Sequence, residues 1–273
     1  MTQLRDRRIV VVGATGGIGS AVVDELLREG ARVLATGRDE AALQRLTVTA
    51  VQRLDLADPA APEKLGAAAE EQFGGALDGL VVASGSVEPI GPTRSVDLNA
   101  VEQALRTQPV AAIGLIQSCA GLLDAGDSPS VVFFSGGGAT SPFPRYTAYA
   151  LAKVAIVRLV ENLALEEPGW KVNAVAPGFV ATGIHQPTLT AGAELAGPYH
   201  AETLSRLEEA VPPGEAAALV AFLLSEESRG VTGRLISAVW DDWREESGRA
   251  LLRDHPSFGR LRRIDLQQFS PTE

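Results

Sequence analysis

The stretch Ile9-Val10-Val11-Val12-Gly13-Ala14-Thr15-Gly16-Gly17-Ile18-Gly19 decides the fold of this 273-residue chain. Ile9 to Gly13 is a short apolar run rich in β-branched residues, as expected for a strand buried on both faces. After the glycines, Ser20 to Glu29 has the pattern of an amphipathic helix that ends at Gly30. Glycines at such a strand-to-helix turn let a pyrophosphate reach backbone N–H groups, because no Cβ blocks the contact. The stretch therefore predicts a nucleotide site.

Strand and helix patterns alternate along the rest of the chain. Further strands are expected over residues 32–36, 51–54, 80–83, 130–134, 172–176 and 234–239. Helices are expected over residues 40–46, 63–73, 98–123 with an interruption at Pro109, 146–166 and 214–224. This alternation predicts an α/β fold, a single Rossmann-type doubly wound parallel sheet flanked by helices on both faces. We predict one catalytic domain over residues 1–240, with the loop-rich residues 183–212 as a substrate lid. Residues 241–273 are predicted to form a tail that packs on the body or on a neighbouring subunit.

Composition excludes several classes of protein. Hydrophobic residues make up 45% of the chain and charged residues 21%, a balance that excludes wholesale disorder. The net charge of −10 argues against nucleic acid as a partner. A single cysteine, Cys119, allows neither an intrachain disulfide nor a cysteine-based zinc site, and His185 and His200 are too few ligands for a metal. No apolar run is long enough for a membrane helix. We therefore expect a soluble, cytoplasmic protein without a metal.

Four motifs in order carry a resemblance to a known family. They are the Gly13-x-x-x-Gly17-x-Gly19 turn, Asp55 after the third strand, Tyr149-Ala-Leu-Ala-Lys153, and Asn173-Ala-Val-Ala-Pro177-Gly178-Phe-Val180-Ala-Thr182. Over residues 8–240 the chain thus resembles the short-chain dehydrogenase/reductase family. The resemblance implies that the backbone of Val180 and the side chain of Thr182 hold the nicotinamide carboxamide. The cofactor contacts that we expect are Gly13, Thr15, Gly16, Gly17, Ile18, Gly19, Arg38, Asp55, Leu56, Gly85, Tyr149, Lys153, Pro177, Gly178, Val180 and Thr182.

The end of the second strand predicts which dinucleotide binds. Sites for NAD place a carboxylate there to accept hydrogen bonds from the ribose 2′-hydroxyl. This chain has Gly37 at that position, followed by Arg38 and Asp39. A guanidinium can hold a 2′-phosphate with two hydrogen bonds, so we predict NADP(H). In the alternative interpretation, Arg38 is a solvated surface charge and Asp39 only caps a helix.

Tyr149 and Lys153 stand four residues apart in a predicted helix, so both side chains emerge on one face. Lys153 is one of only three lysines in the chain. An ammonium near a phenol favours the phenolate and is expected to lower the pKa of Tyr149. Tyr149 could then exchange a proton with a carbonyl oxygen while a hydride moves to or from the nicotinamide. Tyr146 lacks a lysine four residues later and is not expected to act in this way.

The chain departs from the family pattern at the remaining catalytic positions. The spacing of the family serine falls on Gly136, and Ser135 lies one residue earlier. Ser135 is our catalytic candidate if the loop shifts, and a plain strand-end residue if it does not. The family asparagine corresponds to Gln108, which precedes Pro109. We hypothesise that a kink at Pro109 exposes a carbonyl for a relay water, the alternative being a bent surface helix.

These features predict an NADP(H)-dependent oxidoreductase that interconverts a ketone and a secondary alcohol. One alternative is a nucleotide-binding protein with little catalysis, such as a sensor or structural subunit. Another is an NADP-using epimerase or dehydratase that acts on a modified sugar or natural product. A small neutral or amphiphilic substrate suits the largely apolar residues 183–212. The resemblance also implies a homodimer or homotetramer, with apolar positions of the helix at 146–166 packed against a second copy.

Overall fold

Seven parallel strands form one sheet in the computed structural model, which describes residues 3–262. The strands are β1 Arg8–Val12, β2 Arg32–Gly37, β3 Ala50–Arg53, β4 Gly79–Val82, β5 Ser130–Phe134, β6 Lys171–Ala176 and β7 Arg234–Ser237. Their spatial order is β3-β2-β1-β4-β5-β6-β7. The predicted doubly wound parallel sheet is confirmed. Its strand order reverses between β1 and β4, the point at which ligands bind in such sheets.

Helices cover both faces of the sheet. They are α1 Gly17–Arg28, α2 Glu40–Leu43, α3 Ala61–Phe73, α4 Leu98–Leu105, α5 Ala111–Asp124, α6 Thr147–Glu166, α7 Gln186–Ala196, α8 Pro198–Arg206, α9 Pro213–Leu224 and α10 Glu246–Asp254. Ile9 and Val11 of β1 pack in a core cluster with side chains of α1 and α9. Val10 and Val12 pack on the other face with side chains of α3, α5 and α6. Because successive strand residues face opposite sides, an unbroken apolar run fills both cores.

The predicted interruption at Pro109 is wrong. A π-helical turn, Arg106–Val110, joins α4 to α5, so the chain stays helical from Leu98 to Asp124. The N–H of Ala111 bonds to the carbonyl of Arg106, five residues back. Proline has no N–H to offer, and the wider turn accommodates it without ending the helix.

The segment at 183–212 is also more regular than the predicted loop. It contains α7 and α8, separated at Gly197, whose φ of 61° interrupts the helix. Pro187 and Pro198 lie in the first turns of the two helices, where the missing N–H costs no hydrogen bond. Gly192, with a φ of 67°, kinks α7.

The tail packs along the body up to residue 262. Trp243 and Leu252 are buried in the core cluster of α1 and α9. Along the outer edge of β7, the N–H of Leu235 donates to the carbonyl of Gly259 at 2.7 Å. The side chain of Arg234 donates to the carbonyl of Phe258 at 2.6 Å. Residues 263–273 of the predicted tail lie outside the described residues.

The apolar positions of α6 do not form the free face that the sequence suggests. Ile156, Val157, Val160 and Leu163 are buried within the subunit itself. The exposed large apolar side chains of α6 are Leu151 and, near the end of the helix, Leu165. Within residues 3–262, no helix is long and apolar enough to cross a membrane.

Candidate active site

The glycine turn is packed so closely that its backbone forms one wall of a cleft. Gly13 has a φ of 85°, and a Cβ on it would lie 2.8 Å from the backbone nitrogen of Ser84 after β4. A Cβ on Gly19 would lie 2.1 Å from the carbonyl oxygen of Gly13. Side chains at these positions would push the turn away from the sheet. The residues therefore fit the backbone cradle that a dinucleotide requires.

A cleft of about 930 Å³ runs along the carboxyl ends of β1, β2, β3 and β4. It receives part of the predicted cofactor set, namely Gly13, Thr15, Gly16, Arg38, Asp55, Leu56 and Gly85. Gln108 also lines it. The other predicted contacts are not among its lining residues: Gly17, Ile18, Gly19, Tyr149, Lys153, Pro177, Gly178, Val180 and Thr182. The structure thus brings together the half of the predicted site that lies around β1 to β4.

The end of β2 has a glycine, Gly37, where an acidic side chain would bind a ribose. A Cβ on Gly37 would lie 3.0 Å from the hydroxyl of Thr15, so an acidic side chain there would crowd the glycine turn. Arg38 is exposed and lines the cleft. Asp39 caps α2, because its side chain accepts a 2.9 Å hydrogen bond from the N–H of Ala42. One oxygen of its carboxylate is therefore engaged, and Asp39 also lines the cleft beside Arg38.

Asp55 and Leu56 follow β3 at the rim of the cleft. The side chain of Asp55 accepts a hydrogen bond from the N–H of Ala57 at 3.0 Å, which shapes the turn. Asp55 thus shapes the turn after β3 and also borders the cleft.

The turn after β6 reaches the glycine turn from the other side. Gly178 adopts a φ of 79°. A Cβ on Gly17 would lie 2.5 Å from a methyl carbon of Thr182, so these two turns are in direct contact. Val180 is buried, and its carbonyl is within 3.1 Å of Nε2 of His185.

Tyr149 and Lys153 share one face of α6. The ammonium nitrogen of Lys153 is 5.5 Å from the ring centroid of Tyr149 and donates to the carbonyl of Phe134 at 3.2 Å. Burial lowers the pKa of Lys153 to about 8. Burial, with a smaller effect of Tyr199, raises the pKa of Tyr149 to about 12. The predicted lowering of the phenol pKa is therefore not found, because desolvation of the phenolate dominates.

Ser135 does not face the phenol. It is buried, and its hydroxyl donates to the backbone carbonyl of Lys153 at 3.1 Å. Gly136 faces Tyr149 instead, since a Cβ there would lie 3.0 Å from the phenol oxygen. This geometry contradicts the catalytic assignment of Ser135. One residue along an extended backbone turns the side chain to the opposite face, and the loop has not shifted to compensate.

Gln108 lies in the π-helical turn and is buried between the cleft and α6. Its amide nitrogen donates to the carbonyl of Ser86 at 3.2 Å, while its Oε1 is buried without a hydrogen-bond partner among residues 3–262. A Cβ on Gly85 would be 3.2 Å from the nitrogen of Lys153 and 3.5 Å from Oε1 of Gln108. A small cavity of about 10 Å³ borders both side chains.

An aromatic cluster beside Tyr149 is larger than the sequence indicated. Phe143 stacks on Tyr146 at 4.4 Å between ring centroids, and its ring meets those of Tyr149 and Tyr199 edge-on at 5.9 and 4.6 Å. The hydroxyl of Tyr146 bonds to that of Thr188 in α7 at 3.0 Å. Tyr146 therefore joins α6 to α7. The available signal was that all three tyrosines of the chain fall between residues 146 and 199.

Comparison with known proteins gives consistent matches along most of the chain. A family profile described as enoyl-(acyl carrier protein) reductase matches residues 13–238. The 2-(S)-hydroxypropyl-CoM dehydrogenase 3 of Xanthobacter autotrophicus is 31% identical, over 85% of this chain and 94% of that protein. A tropinone reductase homolog of Arabidopsis thaliana is 29% identical, over 85% of this chain and 91% of that protein. A solved short chain dehydrogenase of Shigella flexneri, complexed with NADP, is 24% identical with a TM-score of 0.76. The match covers 87% of this chain and 98% of that one.

Proposed function

The chain belongs to the short-chain dehydrogenase/reductase family, and we propose that it uses NADP(H) to interconvert a ketone and a secondary alcohol. The observation that carries this proposal is the pair of partly buried Tyr149 and buried Lys153 on α6. Gly85 links the pair to the cleft, because it lines the cleft and lies against the ammonium of Lys153. The ammonium of this pair thus lies behind the wall of the cleft that the glycine turn also lines.

The preference for NADP(H) is supported by the lack of a side chain at Gly37 and by the charge of Arg38. Gly37 places no carboxylate against a 2′-phosphate, and Arg38 at the cleft can bind one with charge-assisted hydrogen bonds. The hydroxyl of Thr15 lies where a side chain of residue 37 would otherwise stand. Residues Gly13, Thr15 and Gly16 would hold the adjoining phosphates through the turn at the start of α1.

Tyr149 would exchange the proton with the substrate oxygen. When bound, the nicotinamide supplies the hydride in reduction and accepts it in oxidation. With a pKa of about 12, the phenol is protonated at neutral pH, which suits proton donation to a carbonyl oxygen. The new O–H bond forms as the phenol O–H bond breaks, and the resulting phenolate is stabilised by the ammonium of Lys153. A lysine whose pKa is about 8 can return a proton near neutral pH.

We further propose that Gln108 completes the path of that proton. Its Oε1, which has no partner in the described part of the chain, and the ammonium of Lys153 border the same small cavity. That cavity has about the volume that one water requires. A water there could accept from Lys153 and donate to Oε1. The relay would then use the side chain of Gln108 rather than a carbonyl freed at Pro109.

Residues 183–212 are proposed as the substrate lid over the aromatic cluster, within a catalytic domain of residues 1–240 and beside the tail of residues 241–273. Phe143 and Tyr149 belong to a group of partly buried side chains that pack against the buried Tyr146. The other members are Ile90, Ile184, Ala191 and Tyr199. An apolar or aromatic carbonyl compound fits these surroundings better than a charged one. A homo-oligomer is proposed from the exposed apolar side chains of neighbouring helices, Leu98, Val110, Ile113 and Leu151.

The test is a panel of ketones and secondary alcohols with NADPH, NADH and their oxidised forms, followed through the absorbance of the reduced nicotinamide. Turnover with a preference for NADP(H) is expected. A second candidate function, a nucleotide-binding protein with little catalysis, is favoured by Gly136, which offers the substrate oxygen no hydroxyl. Tight NADPH binding without turnover on any member of the panel would support that candidate.

A further inference from the structure

One side chain outside the predicted site, His185, contacts the turn after β6. His185 precedes α7, is nine-tenths buried, and stacks on Phe179 with 4.1 Å between ring centroids and 19° between planes. The guanidinium of Arg206 in α8 lies 4.7 Å from the centroid of the same phenyl ring. Residues from the lid thus contact the turn that carries Val180 and Thr182.

The hydrogen bond of His185 fixes its tautomer. The carbonyl of Val180 can only accept, so Nε2, at 3.1 Å from it, must carry the hydrogen. Nδ1 is then unprotonated, and it is buried without a partner among the described residues. Burial lowers the pKa of His185, and the nearby charge of Arg206 acts in the same direction. The neutral donor form is therefore the stable one at neutral pH.

We propose that His185 is a positioning residue that orders the turn of residues 177–182 for the nicotinamide end of the cofactor. The inference rests on the proposed function. The Nε2–H bond fixes the peptide plane after Val180, and the stack fixes the ring of Phe179. Because both contacts are in place before the dinucleotide binds, binding does not have to order the turn. The entropy cost of ordering it is avoided, and the affinity for the dinucleotide is higher.

We expect His185 to affect binding of the nicotinamide end of the cofactor and not binding of the adenosine end. Adenosine 2′,5′-bisphosphate has the adenosine and 2′-phosphate of NADP(H) but no nicotinamide. It would occupy the cleft near Arg38 and Asp55 without reaching Val180. The two ligands therefore separate loss of an ordered turn from general damage to the site.

The experiment measures the Kd of NADPH and of adenosine 2′,5′-bisphosphate for the full chain and three variants. His185→Phe keeps a ring for the stack but removes the donor, and His185→Gln keeps an N–H near the position of Nε2. His200→Phe, in the same lid segment, is the matched control. His185→Phe should weaken NADPH binding roughly five- to tenfold, as expected for a lost buried hydrogen bond, and leave the bisphosphate Kd unchanged. His185→Gln should restore most of the NADPH affinity.

The inference is overturned if His185→Phe binds NADPH as the unaltered chain does, if it loses both ligands equally, or if His185→Gln is no better than His185→Phe. Thermal melting of each variant identifies any that has failed to fold. If His185→Phe fails, His185→Leu, which also lacks the donor, replaces it with the same expected results. If the unaltered chain binds the bisphosphate and NADPH but turns over no substrate, the oxidoreductase proposal fails while this test still applies.

Discussion

The phenol oxygen of Tyr149 faces Gly136, at 3.0 Å from the position that a Cβ of residue 136 would take. The backbone of Gly136 is extended, with φ −176°, a conformation that any residue can adopt. The hydroxyl is therefore missing because residue 136 is a glycine, and the loop conformation does not require a glycine there.

Gly136→Ser should raise kcat, because it places a hydroxyl beside the oxygen that Tyr149 protonates. Preorganised donors of this kind are worth tenfold or more, and we expect about a tenfold gain. Gly136→Ala is the matched control, since it adds the same Cβ without the hydroxyl and should gain nothing. Equal kcat values for the two variants in a ketone-reduction assay would argue against this role.

Tyr149→Phe should lower kcat by about 10²- to 10⁴-fold and leave the Kd of NADPH nearly unchanged, because only the proton donor is removed. Tyr146→Phe, at the N-cap of the same helix, is the comparison. It removes the hydrogen bond to Thr188 and should reduce the free energy of unfolding by about 1–3 kcal/mol while retaining proton transfer. Activity assays and denaturant unfolding of both variants separate the two roles. Full activity of Tyr149→Phe would contradict the mechanism.

Arg38→Ala should weaken NADPH binding by roughly 10- to 100-fold, since charge-assisted hydrogen bonds to a 2′-phosphate are lost. NADH binding should change little. Arg45→Ala, an exposed arginine that does not line the cleft, serves as the control. Parallel titrations with NADPH and NADH measure the effect. A similar loss for both dinucleotides would show that Arg38 does not recognise the 2′-phosphate.

Lys153 should make the protein without cofactor more stable as pH rises from about 8 to 10. Its folded pKa of about 8 is below the ordinary value of 10.5, so in this window the unfolded chain binds more protons than the folded one. The stability contributed by Lys153 is complete above the unfolded pKa and is lost as pH falls through about 8. Lys153→Met should remove part of the rise, on the order of 2 kcal/mol. Urea unfolding at a series of pH values measures it, and identical slopes for the two chains would exclude this role. Burial also lowers the pKa of Lys171, so Lys171 makes stability rise with pH in both the unaltered protein and the Lys153→Met variant.

Gln108→Leu should reduce kcat roughly tenfold without altering the Kd of NADPH, because the relay loses its acceptor at Oε1. Gln117→Leu, an exposed glutamine of α5, is the control. The same reduction in both variants, or none in Gln108→Leu, would remove Gln108 from the proton path. Steady-state assays at several pH values make the comparison.

The strands, the glycine turn and the Tyr149–Lys153 pair could be predicted because each depends on local sequence. β-Branched runs mark the buried strands, and a spacing of four places two side chains on one helical face. The sequence also showed that Gly136 takes the position of the family serine. Which of Ser135 and Gly136 faces the phenol depends on a one-residue register at the end of β5, and pattern alone left that open.

Other features depend on contacts between distant parts of the chain. Phe143 and Tyr199 meet edge-on although 56 residues separate them in sequence. The pKa of Tyr149 is governed by burial, which the sequence pattern does not quantify. His185 acts through a short turn that brings its ring against Phe179, and no motif marks it. The π-helical turn at Pro109 depends on packing contacts that keep the chain helical on both sides of the proline.

The bond from the N–H of Leu235 to the carbonyl of Gly259 gives the outermost strand a partner from its own chain. Exposed strand edges are templates on which other polypeptides can add. A shortened protein ending at residue 240, where the family resemblance stops, would lose that partner together with the buried Trp243 and Leu252. It would be more prone to aggregate during expression than a protein that extends through residue 262. A shortened protein therefore needs the tail through Gly259 if the outer edge of β7 is to keep this hydrogen-bond partner.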